Sequence, residues 1–107
     1  LLLTRADATV TLCHRKTPDL AARCRAADIL LAAAGAPGLI TPECVRPGQI
    51  VLDAGATALS DGTLRGDVTP AAAAIAACTP VPGGIGSVTT ALLLRHTVQA
   101  AEKSHHF

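Results

Sequence analysis

Thr79-Pro80-Val81-Pro82-Gly83-Gly84-Ile85-Gly86-Ser87-Val88-Thr89 joins a short apolar run, 77–81, to a long helical pattern that begins near Val88. Its two prolines stiffen the approach to the turn, while its glycines let backbone amides come close to a bound group. A helix that begins here aims free N–H groups and the positive end of its dipole into the turn. The segment is therefore either a ligand-contacting turn or a rigid loop between a strand and a helix. The rest of the chain decides which.

Working back toward the start, the runs 9–13, 28–33 and 49–54 read as buried strands. The second and third are nearly continuous in apolar residues, as parallel strands covered on both faces require. Between the runs the same helix-start signal occurs three times: Thr17-Pro18-Asp19, Thr41-Pro42-Glu43 and Thr69-Pro70-Ala71. Each places a hydroxyl at the N-cap and proline in the first turn. The first helix is expected to run to about Ala27, burying Leu20, Cys24 and Ala27 and exposing Arg23 and Arg25. The second is stopped by Pro47-Gly48, and the third is Ala-rich from Pro70 to about Ala77. The last helix, 88–103, carries Ala91, Leu94, Val98 and Ala101 at 3-4-3 spacing, a buried stripe that Leu92 and Leu93 widen. Strand, helix, strand, helix in this order predicts an α/β domain built on a mainly parallel sheet.

Composition narrows the ligands. The 107 residues, half of them apolar and only one aromatic, allow one small domain with a modest core. A net charge of +1, without a basic block or stacking aromatics, gives no nucleic-acid footprint. Cys13, Cys24, Cys44 and Cys78 lack Cys-x-x-Cys pairing and read as small apolar fillers of a reducing compartment, not a disulfide or zinc framework. No metal ligand set is visible. No run of 18 apolar residues implies a membrane span, and His105 and His106 read as tail. Leu1-Leu2-Leu3 lacks the basic start of a signal peptide and reads as the end of a helix that begins upstream.

Three strand ends carry the candidate chemistry. In open parallel sheets, ligands bind outside the carboxyl ends of strands. Cys13-His14-Arg15-Lys16-Thr17 offers positive charge at one such end, and is either a nucleotide-phosphate site or a solvated basic turn. Ala32-Ala33-Ala34-Gly35-Ala36-Pro37 and Asp53-Ala54-Gly55-Ala56 end the next two strands in small side chains that let a flat ligand approach the backbone. Each alone is also compatible with a tight turn. Asp67, in Gly66-Asp67-Val68, either pairs locally or lines the crevice. A Gly-x-Gly-x-x-Gly fingerprint is missing.

These landmarks, in this order, resemble the cofactor domain of methylenetetrahydrofolate dehydrogenase/cyclohydrolase from Leu1 to about Ala101. The carriers are Ala8-Thr9-Val10-Thr11 with Cys13-His14 and Thr17, then Ala27-Asp28-Ile29-Leu30 through Gly35. Arg46-Pro47-Gly48 through Asp53-Ala54-Gly55 follows, then Gly66-Asp67-Val68. The most specific is 79–89, similar to the family's Thr-Pro-Val-Pro-Gly-Gly-Val-Gly-Pro-Met-Thr signature. The resemblance implies a Rossmann-like parallel sheet with flanking helices, lacking its first strand and an N-terminal catalytic domain.

The family oxidises 5,10-methylene-tetrahydrofolate with NADP or NAD and hydrolyses the methenyl product to 10-formyl-tetrahydrofolate, in one-carbon metabolism. Carried over residue by residue, the resemblance implies cofactor contacts at His14, Arg15, Thr17, Ala34, Gly35, Gly55, Ala56, Gly86 and Thr89. It implies folate contacts at Pro82, Gly83 and Gly84. No catalytic residue falls in this chain. The family's Tyr-x-x-x-Lys motif lies in the N-terminal domain, and there is no tyrosine here. Its pyrophosphate-cradling Gly-Arg-Ser-x-x-Val-Gly loop is also absent.

Arg15 replaces a serine near the adenosine 2′-phosphate, a change found in the family's mitochondrial NAD-preferring branch. Such an arginine holds either an inorganic phosphate, as in that branch, or the 2′-phosphate of NADP directly. The resemblance thus leaves the choice open: NADP is the expected cofactor and NAD the alternative. Ala56 replaces an isoleucine whose backbone meets the nicotinamide end, and Ser87-Val88 replaces Pro-Met. The implied setting is a cytoplasmic or mitochondrial homodimer, with the last helix packed on the catalytic domain and this part inactive alone. The competing readings are another nicotinamide-dependent dehydrogenase, which has no need of 79–89, and a free-standing nucleotide-binding or interaction module. The second predicts no exposed stripe at Leu92, Leu94 and Val98.

Overall fold

The computed structural model describes residues 1–105. The tail reading of His105 and His106 concerns the His105 side chain and all of His106, which lie outside the described residues. In chain order the elements are α1 (Leu2–Arg5), α2 (Leu20–Ala26), β1 (Ile29–Ala32), a 3-10 turn (Pro42–Cys44) and β2 (Ile50–Asp53). There follow β3 (Thr57–Ala58), β4 (Leu64–Arg65), α3 (Pro70–Ala73), β5 (Ala77–Cys78) and α4 (Ile85–His105).

β1, β2 and β5 form a parallel sheet in that order, with Ala32 beside Asp53 and Val51 beside Cys78. All three strands therefore end on one side, where the sequence places its small residues. Val51, wholly buried at the centre, packs in a core with Cys24, Ala32, Ile40, Cys44, Val45 and Ala72. Burying a side chain of that size stabilises the fold by about 1.5–3 kcal/mol. Cys24 and Cys44 fill this core as free thiols, as small apolar residues do.

Polar side chains close the helix ends. Gln49, wholly buried, donates from Nε2 to the carbonyls of Cys24 at 2.7 Å and Ala27 at 2.9 Å. Arg46 donates to Arg25 O at 2.8 Å and Ala27 O at 3.2 Å. Together they satisfy carbonyls that the end of α2 leaves free. Thr69 caps α3 as its Thr-Pro signal predicts, its hydroxyl accepting the Ala72 N–H at 3.2 Å.

Several expectations are corrected. The run 9–13 is not a strand, because among the described residues no strand lies beside it and a strand without a ladder partner has no backbone bonds to hold it. Thr17 is not a helix cap: its hydroxyl closes a turn by accepting the His14 N–H at 2.8 Å. Asp19, in the left-handed region at φ 53°, delays α2 to Leu20. α3 is one turn, not two, and β5 covers only the start of the 77–81 run. α4 begins at Ile85, three residues before the expected Val88, so Gly86 lies inside it. The hairpin β3–β4 was not foreseen; Asp61-Gly62 turns it, with Gly62 at φ 84°.

The predicted apolar stripe of α4 is uncovered by any described residue. Leu94 and Val98 are 67% and 57% exposed. β1 is likewise an edge strand with Ile29 and Leu31 more than half exposed. The radius of gyration, 16.3 Å, exceeds the ~13 Å of a compact domain of this length, as a projecting helix requires.

Candidate functional site

Parallel register brings three strand ends together, and buried carboxylates knit them. Beyond β1, the N–H groups of Ala34 and Gly35 donate to Asp67 Oδ2 at 2.7 and 3.2 Å, and that of Ala36 donates to Oδ1 at 3.0 Å. At the end of β2, Asp53 Oδ1 accepts the N–H groups of Gly55 at 3.0 Å and Asp67 at 3.1 Å, while Oδ2 accepts that of Val68 at 3.1 Å. Beyond β5, the Thr79 hydroxyl accepts the Asp53 N–H at 2.9 Å. Asp67 thus pairs across more than thirty residues of sequence, not locally.

The packing around these carboxylates excludes any side chain at two positions. A Cβ on Gly55 would strike Asp67 Oδ1, and one on Gly66 would strike Asp53 Oδ2. Glycine is required there by contact, not by dihedral angle.

Above the ends of β2 and β5 lies an open cleft of about 420 Å³. One wall is Asp53-Ala54-Gly55-Ala56, the other the turn from Pro80 to Gly86 and the first turns of α4, with Ser87, Thr89 and Thr90. The turn is tight: Gly83 has φ 95°, the Val81–Pro82 bond is cis, and a Cβ on Gly84 would strike the Pro80 carbonyl. Gly55, Gly83, Gly84 and Gly86, with Ala54 and Ala56, leave peptide planes bare for a flat ring, between the larger Leu64, Val81 and Ile85.

The structure therefore gathers Gly55, Ala56, Pro82, Gly83, Gly84, Gly86 and Thr89 at one cleft. Ala34 and Gly35 stand at the neighbouring strand end, where Thr57 Oγ1 donates to Gly35 O at 3.5 Å. His14, Arg15 and Thr17 lie outside the cleft lining, in an exposed turn whose Lys16 N–H donates to His14 Nδ1 at 3.1 Å. Arg15 there is exposed and makes no hydrogen bond or ion pair among the described residues.

Sequence reading missed Thr79, Asp53 and Gln49 as structural ties. Asp53 and Gln49 each stand as one polar residue at the end of an apolar run. That is the signal of a buried polar group with an obligatory partner. Burial, with the charge of Asp53 adding to it, raises the Cys78 thiol above its ordinary value at the strand end.

Comparison with known proteins agrees with this geometry. A family model for the tetrahydrofolate dehydrogenase/cyclohydrolase NAD(P)-binding domain matches residues 1–105. The bifunctional protein FolD 1 of Rhodococcus jostii is 60% identical over 102 residues, which is 94% of this chain and 34% of that protein. FolD of Chloroflexus aurantiacus is 55% identical over 102 residues, 94% of this chain and 36% of that one. The chain thus spans about a third of the length of the curated relatives it matches.

Among solved structures, the bifunctional FolD dehydrogenase/cyclohydrolase of Campylobacter jejuni is 41% identical with a TM-score of 0.88, covering 96% of this chain and 37% of that one. FolD of Trypanosoma brucei, solved with NADP cofactor and inhibitor, is 43% identical with a TM-score of 0.86, covering 96% and 38%. Sheet order, strand-end cleft and sequence match agree: the chain belongs to the tetrahydrofolate dehydrogenase/cyclohydrolase family and forms its Rossmann-like NAD(P)-binding domain.

Proposed function

We propose that this chain is the cofactor-holding part of a bifunctional enzyme of one-carbon metabolism. That enzyme oxidises 5,10-methylene-tetrahydrofolate with NADP, or alternatively NAD, and hydrolyses the methenyl product to 10-formyl-tetrahydrofolate. The observation that carries the reading is the glycine- and proline-built cleft of about 420 Å³ at the carboxyl ends of β2 and β5. Its walls of small residues fit the nicotinamide half of a dinucleotide, which when bound accepts hydride from the folate.

The residues of this chain bind and orient. The backbone at Gly55 and Ala56 supports the nicotinamide, with Gly86 and Thr89 on the helix side. Pro82, Gly83 and Gly84 border the folate. Ala34 and Gly35 give the dinucleotide a flat approach at the end of β1. His14, Arg15 and Thr17 receive the adenosine ribose, where the Arg15 guanidinium pairs with a 2′-phosphate, or with inorganic phosphate beside NAD. No group of this chain moves a proton in either reaction.

We also propose that the whole enzyme works in the cytoplasm as a homodimer. No helix of the described residues is long and apolar enough to cross a membrane. Exposure of Leu92, Leu94 and Val98 weighs against a free-standing binding module without chemistry. Titration calorimetry with NADP, and with NAD in the presence and absence of phosphate, tests the reading. Arg15→Ala should weaken NADP about tenfold or more, the value of one charge-assisted contact, and leave NAD without phosphate unchanged. Equal loss for both cofactors would remove Arg15 from the phosphate site.

A further inference from the structure

Asp53 and Asp67 are the two charged groups at the strand ends that the proposed cofactor contacts leave unused. They are 4% and 0% exposed, and between them they accept six backbone N–H groups. The only ion pair among the described residues, Arg46 with Asp28, lies elsewhere, so backbone amides are what satisfy both carboxylates. The donors come from different segments: 34–36 beyond β1, Gly55 beyond β2, and Asp67 with Val68 beyond the hairpin. Thr79 beyond β5 is tied in through the Asp53 N–H.

The segment 34–36 depends on this arrangement. Gly35 sits at φ 65°, and all three of its successive N–H groups end on one carboxylate. A carboxylate is acceptor-only, with room for several donors, whereas the amide of asparagine presents one oxygen and one N–H₂. An asparagine at this position would turn a donor toward at least one of those three amides. Its volume would be unchanged.

We propose that Asp67, seated by Asp53, is a positioning residue for the dinucleotide: it holds the Ala34-Gly35-Ala36 backbone in the shape that receives the ligand. This rests on the reading of the strand ends as the cofactor site. Both carboxylates are spent on backbone amides, so the effect of Asp67 passes through the loop. Thr79 is the outermost member of the chain of contacts, acting on the loop through Asp53 and then Asp67.

The test is Asp67→Asn in the full chain, with two readouts: amide hydrogen exchange at Ala34, Gly35 and Ala36, and NADP affinity by calorimetry. Exchange at the three amides should quicken at least tenfold while that of Val51 holds, and the NADP Kd should rise about tenfold. Should Asp67→Asn fail to fold, Thr79→Val decides, because it removes only the acceptor of the Asp53 N–H. It should quicken the same amides two- to threefold and weaken NADP in the same direction. Unchanged exchange at 34–36, or quicker exchange with unchanged Kd, overturns the proposal and leaves the cofactor reading standing. Loss of protection spread evenly over the sheet overturns it too. Failure of the unsubstituted whole enzyme, with the segments its relatives carry, to take NADP overturns the cofactor reading, and the ligand half of this proposal with it.

Discussion

Adding one methyl group at Gly66 should unfold most of this chain under conditions the parent tolerates. A Cβ there would overlap Asp53 Oδ2 and stand 2.7 Å from its Cγ and 2.9 Å from Oδ1. Either the carboxylate swings away or the β4–α3 connection shifts. If the carboxylate moves, the N–H groups of Gly55, Asp67 and Val68, at 3.0, 3.1 and 3.1 Å, lose their acceptor. Losing even one bond to a charged group costs about 1.5–3 kcal/mol, and overpacking adds about 1–3 kcal/mol. The expected loss for Gly66→Ala is therefore roughly 2.5–6 kcal/mol, a large part of the ~5–15 kcal/mol that holds a domain together.

Gly86→Ala is the control, since a Cβ at Gly86 meets nothing within 4 Å. Placed inside α4, it should gain up to about 1 kcal/mol from helix propensity. The same chemical change is thus expected to act with opposite sign at two glycines. Urea unfolding followed by far-ultraviolet circular dichroism reads both, a fitting probe for a chain without tryptophan or tyrosine. A Gly66→Ala midpoint within about 0.5 kcal/mol of the parent, the range of a neutral surface change, would refute the reasoning.

Thr69→Ala should cost about 1 kcal/mol through loss of the α3 cap. Thr41→Ala should cost less by the same measurement, because Thr41 makes no capping bond. Burial, reinforced by Cys44 and Cys13, raises the Cys24 thiol from 9.0 to about 11. At pH 8 its thiolate fraction is then about a hundredfold below that of an ordinary thiol, and mass-resolved alkylation of the folded chain should find Cys24 correspondingly slow. The unfolded chain releases that proton near pH 9 and the folded chain only near 11. Between these values the unfolded state binds fewer protons, so stability falls as pH rises and this group has no effect below the window. A melting temperature that rises from pH 9 to 10.5 would contradict the assignment.

The sheet was legible because its strands carry the signal of double-sided burial: 28–33 and 49–54 are almost unbroken apolar runs, and β1 and β2 lie within them. The run 9–13 carries a similar pattern and forms no strand, since pairing is a property of two segments and pattern is a property of one. Pro70 after Thr69 marked a real helix start, whereas Pro18 after Thr17 did not. The difference is a turn: the Thr17 hydroxyl was claimed by the His14 amide, a competition that side-chain propensity does not reveal. The cleft was legible from its glycines and prolines, which advertise backbone approach directly. Its scaffold was not. Asp53 and Asp67 are fourteen residues apart, and only the fold tells that one receives the other's amide and both exclude a Cβ from a nearby glycine.

The 21-residue helix α4 supplies part of the cleft wall from its first turns, yet its outer turns lie bare, with Leu93, Leu94 and Val98 more than half exposed. Thr89, Thr90 and Thr97 bond back to carbonyls four residues earlier, a habit that adds nothing to helix strength. Helix formation is cooperative, and most helical stability in proteins comes from packing of an apolar face, which these outer turns lack. Fraying that starts near Val98 therefore travels toward Ile85, roughly 20 Å away along the axis. Shelter given to the distant apolar turns is felt as rigidity at the wall. By linkage, a ligand that orders the wall strengthens whatever shelters those turns by the same factor.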